Sequence, residues 1–234
     1  MLKAQWVDDG APTLFAASKR VNDLTYWLAL QVVSVPMLKK RVKMITHIIK
    51  IAKHLLALNS FNSFMAVYLA FNLASTARLT TTWKNVPAKH FQVWKKISRL
   101  MSPMNNFGAY REHIVTVQPP LVLCQEVLLK DLLYEEEGRP DFIAEGIMDM
   151  TKMDEIGRLV EAFRQARSKP YSIQPTPALM EYLKDIPSWD SAEAAAQKLD
   201  GLSKEVEPSS INFPAGMGSD PASRVKSLGT LPTW

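Results

Sequence analysis

The side chains best suited to chemistry are few, namely four histidines and one cysteine: His47, His54, His90, His113 and Cys124. Acid–base, nucleophilic and metal sites need such groups at matched spacing, yet no HExxH pattern occurs, and one cysteine cannot build a zinc cluster. P-loop, GxGxxG and GxSxG patterns are also missing from the sequence. We therefore predict structural or surface roles for the histidines, no metal, no cofactor, and a protein that acts by binding rather than as an enzyme with covalent chemistry.

Charge is distributed unevenly along the 234 residues, whose net charge is +5. Residues 24–111 hold thirteen Lys or Arg and no Asp or Glu, whereas residues 112–234 hold twelve basic and twenty acidic side chains. One interpretation is a solvated protein whose two halves attract each other. The other is a cationic face that binds anionic lipid, nucleic acid or an acidic partner, and charge alone does not choose between them.

Cysteine content and hydropathy indicate where the protein works. A single cysteine excludes an intramolecular disulfide and favours a reducing compartment. The sequence lacks an apolar run of about 18 residues, which a membrane span needs, and its first residues lack a signal-peptide pattern. We expect a cytoplasmic protein, with peripheral attachment to a membrane as the alternative suggested by the basic block.

Helical periodicity dominates the sequence. Apolar residues recur three or four positions apart, as in the series Val42, Ile45, Ile49, Ala52 and Leu56. Proline and glycine divide these segments, and no alternating strand pattern of useful length occurs. We predict an all-α domain over residues 1–205, followed by a disordered tail rich in Pro, Gly and Ser over 206–234.

Three asparagines interrupt the apolar stretch 58–79, although asparagine is a poor residue for a helix interior. We predict that Asn59 caps the start of a helix and that Asn62 fixes the preceding connection. Asn72 lies seven residues after Met65, on the same helical face. Both residues can therefore lie on one face of a helix, and the structural interpretation of the pair is a buried methionine and a satisfied amide.

Six stretches, in order and at matching spacing, resemble the catalytic domain of Ras-family guanine-nucleotide exchange factors, the domain found in Son of sevenless. They cover about two thirds of the chain. The stretches are RVNDLTYWL (20–28), KKRVKMITHIIKIAKHLLALNSFNSFMAV (39–67), RLTTTW (78–83), YREHI (110–114), EEGRPD (136–141) and KPYSI (169–173).

The resemblance implies an all-helical bowl that receives switch 2 of a Ras-type or Rap-type small GTPase. A helical hairpin, at about 124–168 here with Gly138 and Pro140 near its turn, would displace switch 1. Leu133 and Glu137 would then act in nucleotide release. The other positions carried over from the family are expected to bind the GTPase (Met65, Asn72, Phe107, Cys124, Lys152 and Glu155) or to have structural roles (Trp27, Arg41, Asn59 and Asn62).

This sequence also departs from the family pattern. Where the hairpin begins, Leu123, Cys124 and Glu126 replace a proline, a phenylalanine and a glycine, which we expect to loosen the hairpin or weaken the switch 2 contact. Acidic Glu155 falls where the family often has a basic residue. The N-terminal edge is shorter than in family domains, so we expect the first helix to be missing.

Three hypotheses remain open at this stage. The first is an active exchange factor for a Ras-family GTPase. The second is a catalytically impaired module of the same fold, which binds a GTPase or serves as a scaffold. The third is a basic helical module whose main partner is an anionic membrane or a nucleic acid, bound through residues 24–111, with no specific nucleic acid expected.

Overall fold

The chain folds into a series of helices, as its periodicity predicts. The computed structural model describes residues 12–208. Within this part, the predicted all-α fold class is confirmed, and the only strands are a pair of two or three residues each. The elements are α1 (Pro12–Val33), α2 (Leu38–Ala57), α3 (Phe61–Asn72), α4 (Ala74–Ala77), α5 (Thr80–Lys84), α6 (Ala88–Ser98), a 3-10 turn (Arg99–Met101), α7 (Gly108–Ile114), α8 (Gln125–Gly138), β1 (Phe142–Ala144), β2 (Ile147–Met148), α9 (Met150–Ala166), α10 (Pro177–Lys184) and α11 (Ala192–Val206).

Helix α3 forms the centre of the core. Its apolar residues surround the helix axis, so it is buried on nearly every side, between α1 and α2. Phe71 near its end lies edge-on to Trp83 and Trp94, with ring centroids 5.1 and 4.9 Å away. Trp27, for which we predict a structural role, is half-buried on α1 and lies edge-on to Tyr182 of α10. The core therefore joins helices from both halves of the chain.

A buried ion pair connects α2 to the C-terminal end of α11. Arg41 Nη2 lies 3.3 Å from Glu207 Oε1, and only 2% and 7% of these residues are exposed. Arg41 also donates to the carbonyls of Val35 and Pro36, and to the hydroxyl of Thr82. These contacts engage four of the five N–H donors of the buried guanidinium and give it a counter-charge, as a buried charge requires.

The Glu207 carboxylate also serves as the cap of α5. It accepts from the backbone N–H groups of Thr81 and Thr82 at 3.1 and 2.8 Å, which lie in the first turn of that helix. Arg78 in turn donates to the carbonyls of Ser203 and Glu207 at the end of α11. The C-terminal helix is thus bound to the core at its last residues.

These contacts correct the predicted start of the tail. Val206 is the last residue of α11, and Glu207 is buried in the core, so the folded part extends beyond 205. The Pro, Gly and Ser content that suggested a tail is concentrated after these two residues. Positions 209–234 of the predicted tail lie outside the described residues.

We expect Glu207→Gln to lower the free energy of unfolding by about 3 kcal/mol, because it leaves the buried Arg41 guanidinium without its counter-charge. Urea denaturation followed by circular dichroism measures this change. Glu205→Gln is the matched control, because Glu205 lies two residues earlier, in the last turn of α11, and its side chain is exposed. Equal midpoints for the two variants would contradict the assigned role of the ion pair.

Candidate functional site

The predicted hairpin is present. Helices α8 and α9 pack against each other and are joined by the β1–β2 ribbon. Helix α8 ends at Gly138, two residues before Pro140, as the sequence predicts. Gly146 lies in the two-residue turn of the ribbon with φ of +74°, a backbone conformation that favours glycine. Asp149 then caps α9 by accepting from the N–H groups of Thr151 and Lys152.

Two of the predicted structural asparagines anchor the base of the hairpin, but not in the predicted way. Asn59 is not a helix cap: Ser60 occupies the cap position of α3, without a side-chain hydrogen bond. Asn59 instead adopts a left-handed conformation (φ of 54°), and its carbonyl accepts from Val122 N at 2.9 Å. Asn62 Oδ1 accepts from Gln125 N, the first residue of α8, at 3.0 Å. Both residues therefore hold the segment that enters the hairpin.

A second set of contacts braces α8 against the body of the protein. Asp131 forms a two-pronged ion pair with Arg111 of α7, with N–O distances of 2.6 and 2.7 Å. Lys130 donates to Asn106 Oδ1 at 2.8 Å, and Arg111 also donates to the Asn106 carbonyl. Both helices are thus joined to the loop that precedes α7, which fixes the direction in which the hairpin leaves the core.

Phe107, a predicted GTPase contact, lies in that same loop but is buried. It adopts a left-handed conformation (φ of 60°) and belongs to the hydrophobic core. Its left-handed neighbours Asn105 and Asn106 favour this conformation because their short amides tolerate it. Lys130 Nζ lies 6.0 Å from the centre of the Phe107 ring. In the folded chain Phe107 supports the hairpin from beneath and does not form part of its surface.

Lys152, another predicted contact, is also turned inward. Its side chain is 2% exposed, and Nζ donates to the carbonyls of Glu136 and Arg139 at 3.1 Å and to the Asp141 carboxylate. Hydrogen bonding to Asp141 is the main reason why the pKa of Lys152 is raised. An ammonium group suits this place because the last carbonyls of α8 have no partners within the helix. Lys152 therefore closes the hairpin and is not available to a partner.

The predicted pair of Met65 and Asn72 is divided by the fold. Met65 is only 3% exposed and packs in the core, because α3 is covered on the face that the seven-residue spacing assigns to both residues. This burial corrects its prediction as a surface contact. Asn72, at the end of α3, is half-exposed, and its Nδ2 donates to the Tyr68 carbonyl at 2.7 Å. Its amide oxygen makes no hydrogen bond with residues 12–208.

Cys124 is likewise a core residue and not a surface contact. It is 1% exposed, and its backbone N–H donates to the Tyr110 hydroxyl oxygen at 2.9 Å. Its Sγ lies 3.3 Å from Glu126 Oε2. Burial raises the pKa of the Cys124 thiol well above its ordinary value and also raises the pKa of Glu126. The thiol is therefore protonated and unreactive at neutral pH.

Leu133 and Glu137 remain on the surface of α8, one turn apart. Leu133 is half-buried and Glu137 is exposed. Of the three consecutive glutamates, Glu135 lies 3.8 Å from Arg139, and Glu136 lies 3.4 Å from Lys152. Glu137 forms no ion pair or hydrogen bond within the described range 12–208. The hairpin thus leaves one of these three carboxylates uncommitted, beside an accessible leucine.

The outer end of the hairpin is apolar. Both strands of the ribbon are exposed, and so are large apolar residues on either side of it. The exposed apolar residues at this end are Tyr134, Phe142, Ile143, Ile147, Met148 and Met150.

Glu155, a predicted GTPase contact, lies further along α9. Its side chain is half-exposed, and its carboxylate lies 2.6 Å from the Arg158 guanidinium.

The sequence alone did not predict the ion pair between Arg111 and Asp131 that braces the hairpin. Arg111 and Asp131 lie 20 positions apart, and neither belongs to a pattern that links them.

Within residues 12–208, no cluster of His, Cys, Asp or Glu side chains is arranged to hold a metal ion. In the same part of the chain, none of the helices combines the length and hydropathy needed to cross a membrane.

Comparison with known proteins gives one consistent family. The model of the RasGEF domain matches residues 1–154. Ras guanine nucleotide exchange factor Y of Dictyostelium discoideum is 32% identical over 75% of this chain and 12% of its own length. Rap guanine nucleotide exchange factor 5 of Rattus norvegicus is 30% identical over 81% of this chain and 33% of its own length. The chain thus spans a third or less of the length of these relatives.

Lys152→Met should loosen the outer end of the hairpin, because it removes a cation that binds two carbonyls and a carboxylate. We expect about tenfold faster amide hydrogen exchange in 136–149, since a hydrogen bond to a charged group contributes about 1.5 kcal/mol or more. Arg158→Met, which removes an exposed cation from the same helix, is the control. Unchanged exchange in Lys152→Met would refute the closing role.

Glu126→Gln should change how stability depends on pH. Because burial raises the pKa of Glu126 above its value in the unfolded chain, the folded state binds the proton more tightly, and stability falls as pH rises through this range. The glutamine of the variant cannot ionise. The free energy of unfolding of the variant minus that of the parent should therefore be larger at pH 7 than at pH 4. Urea unfolding at both pH values measures the difference. Glu145→Gln, at an exposed site, should leave the pH dependence of stability unchanged. If Glu126→Gln showed the same pH dependence as the parent, the prediction would be wrong.

Proposed function

The chain belongs to the RasGEF domain family, and from this premise we propose that it promotes GDP release from a Ras-type or Rap-type small GTPase. The observation that carries the proposal is the surface of α8, where the uncommitted Glu137 carboxylate lies one turn beyond Leu133. By sequence resemblance, Leu133 and Glu137 take the leucine and glutamate positions that act at the nucleotide site in the family. The hairpin that presents them is tied to the body at its base and along α8.

Release requires an exchange factor to bind the empty GTPase better than the loaded one. A nucleotide held with nanomolar affinity is bound by about 12 kcal/mol, which no single contact offsets. An exchange factor that favours the empty state shifts this balance by its differential affinity for the two states. A rigid hairpin suits this task, because it loses little conformational freedom when it enters the site.

The proposed roles follow from chemistry. Leu133 would insert an apolar side chain where the metal ion is coordinated, and Glu137 would attract the cationic groups that otherwise bind phosphate. Glu137 lies in the last turn of α8 and, unlike Glu135 and Glu136, its carboxylate has no cationic partner among residues 12–208. Like charges would therefore disfavour phosphate beside the hairpin. Neither step forms or breaks a covalent bond.

The binding surface beyond this pair is proposed on the same grounds. By sequence resemblance, Asn72 takes a family position that contacts the GTPase, and Glu155 lies where the family often has a basic residue. Both side chains are partly accessible. Support for Met65, Phe107, Cys124 and Lys152 as direct contacts is weaker, because all four are buried. We propose that these residues shape the surface indirectly, by packing beneath it or closing the hairpin.

A binding module without exchange activity is the alternative. One observation favours it: Cys124 occupies the family's phenylalanine position but lies inside the core, so an aromatic anchor is missing where the hairpin begins. Such a module would bind the nucleotide-free GTPase without accelerating release. The two functions are therefore separated by measuring binding and release on the same sample.

Leu133→Ala and Glu137→Ala should each slow catalysed release by about tenfold, which corresponds to about 1.4 kcal/mol of lost interaction. The measurement is release of a fluorescent GDP analogue from a panel of Ras, Rap and Ral-type GTPases. Tyr134→Ala and Glu145→Ala are the controls, because they remove an exposed apolar and an exposed acidic side chain from the same hairpin.

Three outcomes are distinguishable in this experiment. Acceleration that only the Leu133 and Glu137 variants reduce would support exchange activity and identify the GTPase. Binding of an empty GTPase without acceleration by the parent chain would favour the non-catalytic module. Equal effects of all four substitutions would contradict the specific roles of Leu133 and Glu137.

A further inference from the structure

Helix α2 presents a row of cationic side chains to solvent. Its buried residues, Arg41, Ile45, Ile48, Ile49 and Ala52, define the inner face. The opposite face extends over sixteen residues, about 22 Å along the helix axis. We name this face the α2 stripe; it consists of the exposed side chains of Lys39, Lys40, Lys43, His47, Lys50 and His54.

Nothing in the described chain neutralises the α2 stripe. None of its six side chains forms a hydrogen bond or an ion pair with residues 12–208. Residues 24–111 contain no Asp or Glu at all, so acidic neighbours along the chain are missing too. Positions 1–11 and 209–234 together carry three acidic and three basic side chains, and so bring no net negative charge. The α2 stripe is therefore free to attract an anionic partner.

The neighbouring helix α6 extends the basic surface. It packs against α2, and its cationic side chains Lys89, Lys95 and Lys96 are exposed. Trp94 forms its buried side. None of the three lysines forms an ion pair with any residue of the described range. Two adjacent helices thus expose lysines without counter-charges, which favours a large anionic partner over a single small ion.

Apolar side chains accompany the lysines. Met37, Ile51 and Leu58 are 57%, 38% and 41% exposed. At 100° per residue, all three lie toward one edge of the α2 stripe, next to Lys40, whereas Lys39, Lys43 and Lys50 lie toward the other edge. A cationic row beside exposed aliphatic groups is typical of helices that lie in the interface of a membrane.

We propose that the α2 stripe docks on an anionic lipid bilayer, with α2 parallel to the surface. Its lysines would meet the lipid headgroups, and Met37 and Ile51 would enter the boundary of the acyl chains. The inference goes beyond nucleotide exchange, since it uses none of the residues assigned to that function. It assigns a partner to the cationic half of the chain.

A nucleic acid fits the α2 stripe less well. Proteins use arginine for two-pronged contacts with guanine and phosphate, and asparagine or glutamine for adenine. The only arginine of α2 is Arg41, which is buried against Glu207, and α2 contains no asparagine or glutamine. Apart from the imidazole rings of His47 and His54, the α2 stripe offers no aromatic side chain on which a base could stack.

The test is cosedimentation of the full chain with vesicles of equal parts phosphatidylcholine and phosphatidylserine, and with vesicles of phosphatidylcholine alone. We expect binding only to the first. The triple variant Lys40→Gln, Lys43→Gln and Lys50→Gln should weaken it on the order of a hundredfold. Met37→Ser with Ile51→Ser should weaken it about tenfold, through lost apolar burial.

A matched control separates position from net charge. The triple variant Lys169→Gln, Lys184→Gln and Lys204→Gln removes the same charge from exposed sites outside α2 and α6 and should bind like the parent. Equal weakening by this control, equal binding to both vesicles, or no effect of the apolar substitutions would overturn the proposal. So would tight binding to a short RNA duplex without vesicle binding. Release of GDP from a soluble GTPase, measured in parallel, should be the same for both triple variants.

Discussion

The buried ion pair between Arg41 and Glu207 is the interaction on which the body of this protein depends. It lies where α2, α5 and the end of α11 meet, and it gives each of them a partner that the helix alone lacks. A charged pair so deep in a core contributes little net stability when it is complete, but it is costly to break. Its main effect is therefore to allow one arrangement of these helices and to disfavour others.

The hairpin is held by a different kind of contact, between polar groups at its base and along its length. Asn59 and Asn62 fix its entry, Arg111 and Asp131 brace its first helix, and Lys152 closes its far end. Each is a charged or amide group that satisfies backbone or carboxylate atoms, and none depends on a large apolar interface. Such contacts set direction accurately, which is what a projecting element needs if its tip is to reach a defined place.

Much of the fold followed from the sequence, because apolar spacing and prolines define helices locally. The candidate site was harder to predict. Family resemblance proposes Leu133 and Glu137, but the spacing that paired Met65 with Asn72 could not show that α3 is covered at Met65 and half-exposed at Asn72. Glu207 was assigned to a tail, because nothing near it in the sequence announces a partner 166 positions away. Long-range polar pairs leave no local pattern, and burial depends on neighbours that one helix does not reveal.

The distance in sequence between Arg41 and Glu207 also affects how the protein is made. A ribosome adds about 5–20 residues per second, so roughly ten to thirty seconds of synthesis separate the two residues. During that interval α2 is complete, but its arginine has no counter-charge, and the pocket that will hold it cannot close. Until α11 has been synthesised, the Arg41 guanidinium is best left hydrated, because a buried charge without its counter-charge is costly.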